Sequence, residues 1–191
     1  MKVVAVNGSA RRGGNTAVLI EAVLEPLRAI GHQCELIELA GKDIRGCTAC
    51  GKCRELKDRQ CHGRRDDLNP LMEPVFDADA LIIGSPTYYA DVSSETKAFI
   101  DRVGYVSGGN GNLLARKPGA AVVAVRRAGA IHAFDTINHL FLISEMVIVG
   151  SSYWNVGVGR EKGEVANDDE GMRTMRRLGE NLAWVMERLA G

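Results

Sequence analysis

Five short segments of the chain are rich in Val and Ile and mostly apolar: 2–7 (KVVAVN), 33–39 (QCELIEL), 80–85 (ALIIGS), 120–125 (AAVVAV) and 146–152 (MVIVGSS). A strand with helices on both its faces loses the in–out alternation of a half-exposed strand, so runs of this kind predict a parallel sheet covered on both sides. Between them the apolar positions recur at helical intervals. Residues 15–30 place Leu19, Val23, Leu27 and Ile30 on one face, with Pro26 expected to kink the helix. A second helix is expected over 93–106, with Ser93 or Ser94 as N-cap, and a third over 131–145. The last, about 169–189, carries Met172, Met175, Leu178, Leu182, Val185 and Leu189 on a helical period and starts acidic, which suits the helix dipole.

Strand–helix alternation repeated in this way predicts an α/β three-layer sandwich, doubly wound. No repeat or linker divides the chain, so residues 1–191 read as one domain, a size that buries a full core. Two stretches read as irregular, a cysteine-rich loop at 46–69 and a Gly-rich one at 107–119. Long loops in compact domains are usually functional or mobile.

Charge then removes some partner classes. Lys plus Arg and Asp plus Glu number 24 each, so no bulk charge points to nucleic acid or an acidic membrane. No run approaches the roughly twenty apolar residues of a membrane span, and the N-terminus lacks the pattern of a signal peptide. A cytoplasmic protein is expected, with its cysteines reduced or metal-bound rather than paired in disulfides.

Candidate chemistry sits in the turns that follow strands. After the first strand, NGSARRGGNT (7–16) offers Ser9, Arg11, Arg12, Asn15 and Thr16 as donors, with glycines that let backbone N–H groups approach. This is the equipment of a phosphate cradle at a helix N-terminus, although neither the P-loop nor the dinucleotide spacing is met. After the third strand, GSPTYYADVSSETKAFIDR (84–102) presents Pro86, Thr87, Tyr88 and Tyr89. In the strand order 2-1-3-4-5 these two turns face each other at the switch point, where a flat aromatic ligand would lie. The tyrosines could equally pack on neighbouring loops.

Four of the five cysteines fall in one run, Cys47-x2-Cys50-x2-Cys53-x7-Cys61. Structural zinc usually joins two separated pairs, with His62 a conceivable extra ligand here, whereas three cysteines at x2 spacing can wrap a face of a cubane cluster. Free thiols are the third option. Cys34 lies in a strand pattern and reads as a small buried hydrophobe. His32, His62, His132 and His139 have no matching partners in sequence, and no nucleophile–base set is evident.

Taken in order, NGSARRGGNT, the GC…C..C run and GSPTYY…ETKAFIDR resemble the NAD(P)H-dependent FMN reductases, and more narrowly their iron–sulfur flavoprotein branch. The likeness spans about 1–105, with a trace in VGSSYWN (149–155). It implies a flavodoxin-like fold with a five-stranded parallel sheet of order 2-1-3-4-5, binding FMN. Carried over by position, Ser9, Arg11, Asn15 and Thr16 would hold the FMN phosphate, and Pro86, Thr87, Tyr88 and Tyr89 the ring edge and ribityl chain. Arg126, in RRAGA (126–130), would approach the pyrimidine end, a place where relatives more often carry glycine. Cys47, Cys50, Cys53 and Cys61 would ligate a [4Fe–4S] cluster. The resemblance further implies an FMN-dependent oxidoreductase served by ferredoxin or NAD(P)H, with a small-molecule acceptor, assembled as a homodimer or homotetramer. Two alternatives stay open: a clusterless NAD(P)H-dependent FMN or quinone reductase, and a zinc-stapled binding domain without redox turnover.

Overall fold

A computed structural model describes residues 1–190 of the chain. Strands β1 (Lys2–Asn7), β2 (Gln33–Glu38), β3 (Ala80–Pro86), β4 (Pro118–Val125), β5 (Val147–Ile148) and β6 (Val156–Val158) form one sheet of order β2-β1-β3-β4-β5, with β6 also paired to β4. Every pairing between named strands is parallel. Helices α1 (Asn15–Ala29), α2 (Lys52–Leu56), α3 (Leu68–Asp77), α4 (Ser94–Gly109), α5 (Ala130–Ile143) and α6 (Asp169–Ala190) cover both faces. Among the described residues no helix is long and apolar enough to cross a membrane.

The pleat sorts successive strand residues into two cores. Val3 and Ala5 of β1, with Ile82 of β3 and Val122 of β4, meet Leu19, Ile20, Val23 and Leu27 of α1 and Met175, Leu178 and Leu182 of α6. Their neighbours Val4, Val6, Leu81, Ile83, Ala121 and Val123 meet α3, α4 and α5 through Met72, Phe76, Phe99, Val103, Ile137 and Phe141. That double burial explains the continuous apolar runs of β1, β3 and β4. The edge strand β2 alternates instead, with Gln33 and Glu35 exposed. Helices α1 and α6 touch at Gly179, where an added Cβ would lie 2.2 Å from the Val23 carbonyl. Helix α1 runs through Pro26 to Ala29.

The fifth strand departs from expectation. The apolar run at 146–152 pairs with β4 only at Val147–Ile148, and pairing resumes at Val156–Val158. The intervening backbone is drawn onto α6, where Ser151 Oγ donates to the Thr174 carbonyl at 2.6 Å and Asn181 Nδ2 to the Gly150 carbonyl at 2.9 Å. Asn155 bridges the gap, accepting from Val123 N at 2.9 Å and donating to the Ala121 carbonyl at 3.0 Å. A split strand shifts the 159–162 segment to the ligand end of the sheet.

Both irregular stretches contain more structure than their composition suggests. Segment 46–69 holds all of α2 and the start of α3, whose Leu68, Met72, Val75 and Phe76 are buried. Pro70 and Pro74 masked that period. Segment 107–119 begins as the last turn of α4 and ends inside β4. Cys34 is half-buried rather than buried.

Candidate functional site: a cleft at the switch point and a stapled cysteine loop

A cleft of about 390 Å³ opens where β1, β3 and β4 end. It is lined by Ser9, Arg11, Asn15, Thr16, Pro86, Thr87, Tyr88 and Arg126, together with Ala124 and Val125 of β4 and Gly159, Arg160, Glu161 and Lys162. The fold thus brings together the sequence candidates from three separate turns. The exception is Tyr89.

The first turn is shaped by what lies beneath it. Gly8 sits where an added Cβ would fall 1.7 Å from Thr96 Oγ1 of α4, and its carbonyl accepts from Ser93 Oγ at 2.6 Å. Ser93 also caps α4 by accepting from Thr96 N at 3.2 Å, as its position in sequence predicts. Buried Asn7 accepts from Ser9 N at 3.0 Å and donates to Glu38 at 2.8 Å, which fixes the start of the turn. Burial raises the Glu38 carboxyl from its ordinary value despite the Asn7 hydrogen bond. Helix α1 has no side-chain cap, so the positive end of its dipole faces the cleft.

Asn15 lines the cleft, as its position suggests, and has a second task. Its amide donates to the Gly159 carbonyl at 2.9 Å and accepts from Val165 N at 3.3 Å. It therefore clamps the 159–165 segment against α1, and so builds the cleft's far wall. Arg12 turns away, donating to the Ala40 carbonyl at 3.2 Å.

The third turn explains Tyr89. Tyr88 N donates to the Asp91 carbonyl at 2.8 Å and Asp91 N returns to Tyr88 at 3.0 Å. Between them Tyr89 and Ala90 are both left-handed, with φ of 48° and 63°. This is the pattern of a type I′ turn, and for residues bearing a Cβ it stores strain. The turn throws Tyr89 outward, fully exposed at 107%, and away from the residues that line the cleft.

Orphaned polar atoms test the fit of a ligand. Five buried side-chain N or O atoms lack a partner among the described residues, and two of them, Thr16 Oγ1 and Thr87 Oγ1, line this cleft. A buried hydroxyl without a partner is costly, and here a bound ligand would satisfy it. Arg11, Arg126, Arg160 and Lys162 against Glu161 leave the cleft net positive. Two orphan hydroxyls, an uncapped helix and surplus positive charge fit an FMN with its phosphate at the first turn. The 159–162 wall was not found from sequence, because its place depends on the split fifth strand.

The cysteine loop lies against α4. Cys47 and Cys50 are exposed, while Cys53 and Cys61 are buried within the same core. Backbone N–H of Lys52 and the Thr48 hydroxyl hold the Cys50 thiol below its ordinary range, whereas burial pushes the Cys53 thiol up. A Cβ at Gly63 would lie 3.1 Å from Cys50 Sγ, so the two ends of the loop are in contact. Among the described residues no three His, Cys, Asp or Glu side chains converge as a metal site. The expected four-cysteine ligand set is therefore present in chemistry but not gathered. Two histidines do have partners: His62 pairs with Asp58 at 2.8 Å and His132 with Asp91 at 3.4 Å.

Comparison with known proteins agrees with this geometry. The sequence profile of the family described as NADPH-dependent FMN reductase matches residues 1–161. An iron–sulfur flavoprotein of Methanocaldococcus jannaschii is 34% identical over 98% of each chain. Another iron–sulfur flavoprotein, from Archaeoglobus fulgidus, is 33% identical over 98% of this chain and 81% of that one. Among solved structures, a flavodoxin described as a WrbA-like protein from Agrobacterium tumefaciens superposes with a TM-score of 0.67 at 18% identity, covering 98% of each chain.

Proposed function

The chain belongs to the NADPH-dependent FMN reductase family and is an FMN-dependent oxidoreductase, and we propose that it passes electrons between FMN in the cleft and a [4Fe–4S] cluster on the cysteine loop. The observation that carries the cluster is the donor set, four thiols on residues 47–61, in a chain similar along its whole length to proteins named iron–sulfur flavoproteins. Bound FMN supplies two-electron uptake with one-electron release, which is the chemistry that couples a hydride or electron-pair donor to a one-electron centre.

The chain's own residues bind and orient. Ser9, Arg11, Thr16 and the N-terminal N–H groups of α1 take the phosphate, and Asn15 holds the wall opposite. Thr87 and Tyr88 meet the ribityl chain and ring edge. Arg126 places positive charge where the ring gains electron density. The electron donor is ferredoxin or NAD(P)H, and the acceptor is a small molecule. A homodimer or homotetramer would let a cluster face a neighbour's flavin. A cytoplasmic setting belongs to the same reading, since cluster ligands must stay reduced.

A clusterless NAD(P)H-dependent flavin or quinone reductase is the second reading, favoured by the two exposed, ungathered thiols. The two separate in an anaerobic visible spectrum, with iron, sulfide, zinc and FMN quantified on one sample. Flavin bands over a broad shoulder near 400 nm, with about four irons per chain, are expected. FMN without iron establishes the simple reductase. Zinc without FMN would sink both.

A further inference from the structure

We infer that Arg102 is a positioning residue for the cysteine loop, fixing Cys61 in place and donating the N–H···S hydrogen bond that makes the cluster easier to reduce. The inference rests on the cluster-bearing reading above.

Arg102 is 1% exposed and is the bulkiest of the fully buried side chains. An arginine is rarely buried without a structural reason, because taking a guanidinium out of water is expensive unless it is paired and hydrogen-bonded. Here every direction of its fork is used on one target, the cysteine loop. Nε donates to Cys61 Sγ at 3.2 Å, Nη1 to the Arg45 carbonyl at 3.0 Å and Nη2 to Asp66 Oδ1 at 3.0 Å. Nη1 also reaches Asp66 Oδ2, and the side chains of this ion pair are 0% and 1% exposed. Asp66 in turn accepts from Arg45 N at 3.1 Å. One guanidinium therefore holds the residue that leads into the loop, the fourth cysteine and Asp66, two positions before α3.

Nothing in the flavin cleft needs this charge, because Arg102 sits on α4 two turns beyond the helix start and away from the lining residues. A neutral thiol is a weak acceptor, whereas a metal-bound thiolate is a strong one. A cationic donor aimed at a buried sulfur thus suits a ligating Cys61. The N–H dipole stabilises negative charge on the sulfur, so it favours the reduced cluster and raises its potential. The C-cap of the same helix, Asn110, holds the backbone of Cys53, whose carbonyl accepts from its side-chain amide at 3.3 Å.

The test uses the anaerobic, FMN- and cluster-loaded chain labelled with 15N-arginine. Pulsed electron paramagnetic resonance of the reduced cluster should show a coupled arginine nitrogen, lost in Arg102→Lys. Lysine keeps the charge but not the planar fork. Redox titration of Arg102→Lys should move the cluster midpoint to more negative values while the FMN midpoint stays where it is in the parent. A labelled parent that holds iron but shows no coupled arginine nitrogen overturns the inference and leaves the cluster reading standing, even if the variant fails to fold. An unchanged cluster midpoint in a folded Arg102→Lys overturns it too. A parent that binds FMN but no iron removes the cluster reading and, with it, the role of Arg102.

Discussion

The two ends of α4 serve two sites built in opposite ways. At its start, Ser93 grips the carbonyl of Gly8, and around it the cleft presents polar atoms that have no partner, Thr16 Oγ1 and Thr87 Oγ1. Along its second half, Arg102, Tyr105 and Asn110 tie down a loop whose anchoring groups are satisfied. The cleft stands on the ends of buried parallel strands, so the fold itself places its donors and can leave them free for a ligand. The cysteine loop is not itself a strand end and gains its shape from the buried Arg102–Asp66 ion pair together with hydrogen bonds to Asn110 and the burial of Cys53 and Cys61. A site on sheet ends is pre-organised by the fold, whereas a site on a loop must be stapled to it.

That contrast is most directly broken at the staple. Arg102→Met should destabilise the chain by about 3–5 kcal/mol, since it strands the Asp66 carboxylate in the core. Urea denaturation of the FMN-bound protein measures it, and a loss below 1 kcal/mol would show that the loop is held by other contacts. Acid should act through the same pair. Burial by itself would raise the Asp66 carboxyl, but the Arg102 guanidinium and Arg45 N–H outweigh it and hold the group below its ordinary 3.8. A carboxyl depressed in the folded state contributes stability that is complete above its unfolded value and is lost as pH falls through the folded one. Unfolding midpoints should thus be steady from neutrality to about pH 4 on this account and fall below it. Asp66→Asn should flatten that acid limb; an unchanged limb would assign acid sensitivity elsewhere.

At the cleft the effects are on binding. Arg11→Ala should weaken FMN roughly ten- to hundred-fold in a fluorescence titration, through loss of a charge-assisted contact. Equal affinity would remove Arg11 from the phosphate site. Thr16→Val should have opposite signs in the two forms. Without FMN it removes an unpaired buried hydroxyl and leaves stability equal or higher, while with FMN it costs about 1 kcal/mol of affinity. Matching losses in both forms would show that the hydroxyl already has a partner. The smallest effect belongs to Tyr89→Ala, expected to leave FMN affinity within about two-fold because the side chain lies outside the cleft. Replacing Tyr89 by glycine should stabilise the turn, relieving a left-handed φ of 48°.

Much of this was open to reading along the chain. Continuous apolar runs at 2–7, 80–85 and 120–125 required a sheet buried on both faces, because only that geometry hides every side chain of a strand. Ser93 as a cap, the glycine-bearing first turn and the cysteine spacing are local signals, set by residues within a few positions of one another. What lies beyond them depends on residues distant in sequence. Asn15 was legible as a polar residue at a helix start, but that it clamps Gly159 and Val165 follows only from the split of the fifth strand. Tyr89 was legible as an aromatic beside the cleft, but a type I′ turn turned it to solvent. Arg102 falls in the helix expected over 93–106, and nothing in its neighbouring residues marks it for burial. Only the packing of the cysteine loop over α4 buried it, because a guanidinium enters a core when a carboxylate, a carbonyl and a sulfur from elsewhere in the chain arrive together to receive its hydrogen bonds.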